Sequence, residues 1–204
     1  MANTKFSTSS INQGLVKSRS MLVGNTAFIP SIYDSISTVT VGSGGASEVS
    51  FTSIPATYTH LQVIGLGRTT QNSTGADDLL LNFNSDTNTN YSYQDLTGDG
   101  VSASTSAQSS IAFISFGSML PRLQTLSNSF GITVIDILDY ANTNKYKTTR
   151  ALMGLDINGA GGQTCLRSGN WRNTDAITTI TLKPEQTRVF AQYSQFALYG
   201  IKGS

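Results

Sequence analysis

Charge is scarce in this 204-residue chain: Asp, Glu, Lys and Arg make up 12 % of it, about half the share in an ordinary soluble domain. The 13 basic and 12 acidic residues leave a formal net charge of +1. Such a balance gives no general attraction to nucleic acid or to an anionic membrane, and neither partner is expected. Cysteine is nearly absent, and the lone Cys165 excludes an intrachain disulfide and reads as a small buried residue. Histidine is equally rare, so any Ser-His-Asp or Cys-His arrangement must pass through His60; no nucleophile-elbow motif accompanies it. His60 and Cys165 lie far apart with no second ligand near either, which argues against zinc. No apolar run approaches the 18 residues of a membrane span, and the opening MANTKFSTSSINQG has no apolar signal core. A protein made in the cytoplasm is expected, one that lysis and not secretion would place outside a cell.

What fills the chain instead is neutral polarity. Ser, Thr and Asn together make up about a third of it, and Gly adds 19 residues. These residues form helices poorly and suit strand faces and tight turns. A surface solvated by hydroxyls and amides is less sensitive to salt and pH than one held by ion pairs. An extracellular, weather-exposed assembly fits that chemistry.

Two segments are expected, 1–33 and 34–204. The first carries Lys5, Lys17 and Arg19 with no acidic residue, and its apolar side chains, among them Phe6, Leu15, Val16, Met21 and Phe28, follow neither a 2.0 nor a 3.6 period. It reads as an extended anchoring arm whose basic and apolar residues become ordered on a partner. The second is an all-β domain. Some ten short strands recur at 8–15-residue spacing with turn residues between them, and no amphipathic helix separates them, which predicts a two-sheet antiparallel β-sandwich, jelly-roll-like. Residues 36–41 and 48–52 read as a hairpin around a Gly-rich turn, and 131–140 and 145–152 as a second hairpin around ANTN. The Ser/Ala-rich run 101–110 reads as a surface loop. Leu120, Leu123 and Leu126, three apart, allow a turn of helix at most. The last strand, 196–201, is apolar on both phases and belongs mid-sheet or at a subunit contact.

Candidate chemistry is thin. Residues 86–90, DTNTN, open like a calcium loop, but Tyr91 and Thr97 stand where Gly and Glu are needed, so an Asn/Asp turn is expected. Asp77, Asp78 and Asp99 are assigned to other loops. Asp136 and Asp139 are three apart on a strand, hence on opposite faces and unsuited to paired acid–base work. Residues 159–162, GAGG, lack the spacing and helix of a phosphate cradle. Tyr91, Tyr93, Tyr146 and Trp171 lie near polar loops, where aromatics either hold a glycan or pack at a sheet edge or subunit seam. No catalytic residue, metal or cofactor is assigned.

Three stretches carry a resemblance: 54–63, IPATYTHLQV; 134–147, VIDILDYANTNKYK; and 196–203, FALYGIKG. With these, the chain from about residue 33 to 203 resembles small proteins encoded among tailed-phage structural genes, especially of aquatic phages. The resemblance implies a jelly-roll module of the virion, used for capsid decoration, fibres or adhesion and often homotrimeric. The expected role is therefore a capsid decoration or cement protein docked by its arm, with a short tail-fibre or glycan-binding adhesin as the alternative. Its expected partners are other copies of itself, other virion proteins and, for the adhesin, a host surface glycan.

Overall fold

The computed structural model describes residues 21–23, 26–28, 32–159 and 161–203, which form strands and turns and no helix. The chain divides into two units, Met1–Ile32 and Tyr33–Ser204. In the first, β1 (Met21–Val23) pairs antiparallel with β2 (Thr26–Phe28). Two three-residue strands within the expected arm thus pair with each other.

The second unit is a two-sheet antiparallel β-sandwich of jelly-roll-like character. Its strands are β3 (Tyr33–Thr40), β4 (Val49–Phe51), β5 (His60–Gly67), β6 (Ala76–Phe83), β7 (Tyr91–Gly98), β8 (Ala103–Ile111), β9 (Ile114–Pro121), β10 (Gly131–Leu138), β11 (Lys147–Asp156), β12 (Gly162–Trp171), β13 (Ile180–Pro184) and β14 (Gln195–Ile201). Eight form one sheet in the order β3-β14-β5-β10-β11-β12-β7-β8, and four form the other in the order β4-β13-β6-β9. The ANTN hairpin joins β10 to β11 as expected. The last strand lies mid-sheet between β3 and β5.

Period-2 alternation turns one phase of each strand inward. Leu61, Val63, Ile135, Ile137, Met153 and Leu198 of the large sheet meet Leu79, Leu81, Phe83, Ile114, Phe116 and Ile180 of the small one, all buried in one core. Trp171 sits against Phe83 and Tyr91 with ring centroids 5.5 and 6.2 Å away. Where β9 approaches the start of β10 the backbones nearly touch: a Cβ on Gly131 would lie 1.7 Å from the Met119 carbonyl oxygen. Only glycine fits there.

Buried polar groups close the ends of the sandwich. The Arg68 guanidinium donates to the carbonyls of Arg122, Leu123, Leu126 and Ser129 at 2.6–3.3 Å. Its buried position gathers the 122–129 segment into a capped loop. Asp77, fully buried, accepts from Thr69 Oγ1 and Arg122 Nε, both at 2.6 Å. Lys147 is also fully buried, with Nζ donating to the carbonyls of Asn142, Lys145 and Thr174 at 2.7–3.0 Å. Burial holds this ammonium below the usual lysine range.

Two local expectations are corrected, and a third holds. Residues 36–41 and 48–52 do not pair, because β3 joins the large sheet and β4 the small one; the Gly-rich turn between them docks on Phe190 through reciprocal backbone bonds with Ala46. Run 101–110 is mostly strand β8, an edge strand paired to β7 with eight of its nine residues exposed. Its Ser and Ala gave no burial pattern because nothing covers either face. Leu120 lies in β9, and 122–126 is a turn with a Thr125 N–H to Arg122 carbonyl bond, its carbonyls also held by Arg68, within the expected limit of one turn of helix.

Candidate assembly face and polar cleft

The small sheet covers one face of the large sheet and leaves the other open. On that outer face, register places side chains in rows across the strands. One row runs Ala197, Ile64, Val134, Leu152, Leu166, Leu96 from β14 to β7. Leu152, Leu96 and Leu166 are 57, 52 and 49 % exposed; Ile64 is exposed and Val134 half-buried. The next row toward one end holds Leu66 and Ile132, both exposed, beside Gly154. Ala197 is buried; isolated aliphatics on a surface are ordinary, but a row from Ile64 to Leu96 over five strands, roughly 19 Å wide at strand spacing, is a candidate docking surface.

The row on the other side is polar. Gln62 Nε2 donates to Asp136 Oδ1 at 2.7 Å, and Arg150 donates to Asp136 Oδ2 through Nη2 at 2.6 Å and Nε at 3.2 Å. The Arg150 side chain is 71 % exposed. The face thus sets an aliphatic row beside a carboxylate–guanidinium pair.

A second feature lies at the β7–β8 edge. The small sheet ends at β9, so the inner face of the large sheet overhangs it and forms an open, polar cleft of about 310 Å³ lined by Asp78, Tyr93, Asp95, Ser106, Gln163 and Arg167 among others. Arg167 is buried in its floor, bonded to Asp95 and to the Ser115 carbonyl, with Cζ 4.3 Å from the Tyr93 ring centroid. Asp95 Oδ2 also accepts from Ser106 Oγ at 2.7 Å. Asp78 accepts from Ser115 Oγ at 2.7 Å and Ser118 Oγ at 3.1 Å.

The residues singled out from sequence fall as follows. Lys5, Phe6, Leu15, Val16, Lys17 and Arg19 lie outside the described residues, and Met21 and Phe28 are directly paired in the β1–β2 hairpin. Tyr91 and Trp171 are corrected as glycan candidates: both are fully buried core residues. Tyr146 is exposed, and Tyr93 lines the polar cleft. Asp77 and Asp78 belong to β6 and not to a loop. The Asp86 carboxylate accepts from Asn88 N, Asn88 Nδ2, Asn90 Nδ2 and Trp171 Nε1 at 2.7–2.9 Å, a turn that ties a loop to the core. His60 Nδ1 accepts the Asp139 backbone N–H at 3.0 Å, and the Asp139 carboxylate takes Lys145 Nζ at 2.5 Å.

Sequence reading missed the aliphatic row, yet a signal was present. The runs LQVIGL in β5, ITVIDIL in β10 and ALMGL in β11 are apolar on both phases, which a sandwich strand with one solvated face does not need. The cleft had no comparable signal, since Asp78, Tyr93 and Arg167 come from three separated strands.

No protein-family model, curated protein or solved structure matches the chain.

Proposed function

We propose that this chain is a non-catalytic structural subunit of a tailed-phage virion, which works by docking on copies of itself and on neighbouring shell or tail proteins. The observation that carries the reading is the apolar row from Ile64 to Leu96 on the outer face of the large sheet, four of whose five residues are exposed. The resemblance of residues 54–63, 134–147 and 196–203 to phage structural proteins supplies the setting, and decoration of the capsid is the role it favours. In that role the arm at 1–33 grips adjacent subunits while the sandwich stabilises the shell, and repetition around a symmetric particle multiplies weak contacts. Mass spectrometry and immunogold labelling of density-purified particles test this. Repeated copies on the shell are expected; absence from the particles overturns it. Deleting residues 2–30 is expected to abolish particle binding while leaving the sandwich folded.

A second reading, a glycan-binding adhesin, is favoured by the polar cleft, where an aromatic ring, an amide and carboxylates line one open surface. Binding of the purified chain to a glycan array, lost in Tyr93→Ala, is the outcome that supports it.

A further inference from the structure

We infer that two copies of this chain pack through the outer faces of their large sheets, about a two-fold axis that runs parallel to the strands and passes between β10 and β11. This rests on the reading of that face as an assembly surface, and it names the occupant and the symmetry. The face is its own complement about this axis. Across the seam between β10 and β11, register sets Val134 opposite Leu152, with Ile64 and Leu166 next out on either side and Ala197 and Leu96 beyond them. A two-fold along the seam therefore lays Val134 on Leu152 of the second copy and Ile64 on Leu166, apolar against apolar.

The neighbouring rows match as well. Asp136 and Arg150 are opposed across the same seam, so the axis brings Asp136 over Arg150 of the second copy, twice. Within one chain Arg150 commits Nε and Nη2 to Asp136, and Nη1 makes no bond among the described residues, leaving it for the second carboxylate. On the other side Ile132 is opposed to Gly154. The two-fold places exposed Ile132 over this residue without a side chain, where even a Cβ would meet only Ile132 Cγ2 of its own chain, at 3.6 Å. An axis perpendicular to the strands would instead set the Asp136–Arg150 row on Leu66 and Ile132, burying charge against hydrocarbon. Twisted sheets stacked face to face cross at about 30° and touch best near the axis, which is where these pairs lie. Eight strands of about eight residues form a face of roughly 1,000 Å², large enough to hold the ~800 Å² per partner of a stable interface.

The test uses the full-length chain in sedimentation equilibrium. Wild type is expected to be a dimer. Asp136→Arg and Arg150→Asp, each alone, juxtapose like charges across the axis and are expected to weaken association at least tenfold. Mixed in equal amounts, the two variants restore both opposite-charge pairs and are expected to form a heterodimer, an outcome that a folding defect in either variant cannot produce. Oxidative cross-linking of a Val134→Cys variant to a Leu152→Cys variant in a mixture provides a second readout. A monomeric or trimeric wild type, association that survives both charge reversals, or a mixture that fails to pair overturns the proposal. None of these results bears on whether the chain is found on particles, which the labelling experiment decides separately.

Discussion

Trp171 donates its indole N–H to Asp86 Oδ2 at 2.7 Å, joining the floor of the core to a five-residue surface turn. Burial raises the Asp86 pKa, but the bonds from Asn90, Asn88 and Trp171 outweigh it and hold the carboxyl below its ordinary value of 3.8. Asp86→Ala leaves the fully buried indole unpaired and is expected to lower unfolding stability by about 1–3 kcal/mol. Urea denaturation followed by fluorescence of this single tryptophan measures it. A lowered carboxyl pKa stabilises the fold above the unfolded value and loses that contribution as pH falls through the folded one. The acid limb below pH 3.8 is therefore expected to be shallower in the variant.

Tyr91 gives the opposite, alkaline dependence. Burial, opposed by a backbone bond at Phe83 and reinforced by the charge of Asp86, pushes its phenol from 10 up to about 12. The unfolded chain thus releases this proton first, and stability present below pH 10 is lost as pH rises toward 12. The ceiling for this group is roughly 2–3 kcal/mol. Tyr91→Phe is expected to be less stable at neutral pH, having lost bonds to Phe83 and Asp86, yet to show a flatter decline between pH 10 and 12 in denaturant titrations.

Arg68 organises a loop without touching a carboxylate. Arg68→Met keeps the apolar stem but strips partners from four carbonyls. Hydrogen–deuterium exchange is expected to rise much more across 122–129 than in β10–β12, where it rises only by the global loss of about 1–3 kcal/mol. Equal acceleration everywhere would show that the clamp is not local.

Gly131→Ala places a methyl group inside the Met119 carbonyl. Since two backbones must separate to admit it, a loss of at least about 3 kcal/mol is expected, visible as a lowered thermal midpoint or as insoluble expression. Gly154→Ala, where a Cβ meets nothing closer than 3.6 Å, is the matched control expected to fold normally.

Much of this architecture was legible in the residues themselves. Alternation in β10 and β11 around ANTN gave the hairpin, and of the two places the apolar run at 196–201 allowed, mid-sheet or a subunit contact, it takes the first. What escaped had a physical reason. Strand β8 carries no hydrophobic pattern because neither of its faces is covered, so only its ladder to β7 defines it. The pairing of 36–41 with 48–52 was inferred from a turn, but Gly45 packs against Val189 and Phe190, a contact supplied by residues far along the chain. Tyr91 and Trp171 lie among Asn, Ser and Asp in sequence, which suggested exposure; their rings turn inward onto Phe83 and only their polar atoms reach the turn. The outer aliphatic row was written in the double-phase apolar runs, while which residues stand side by side became visible only with register.

The strand that divides β3 from β5 follows every other strand in the chain. During translation β3 leaves the ribosome before β4 to β13 and has no neighbour until β14 emerges, so one edge of the large sheet stays open while those ten strands are made. Order of emergence, and not only final stability, thus sets how long an unpaired strand is available to the wrong chain. A cell crowded with nascent copies would be where this delay matters most.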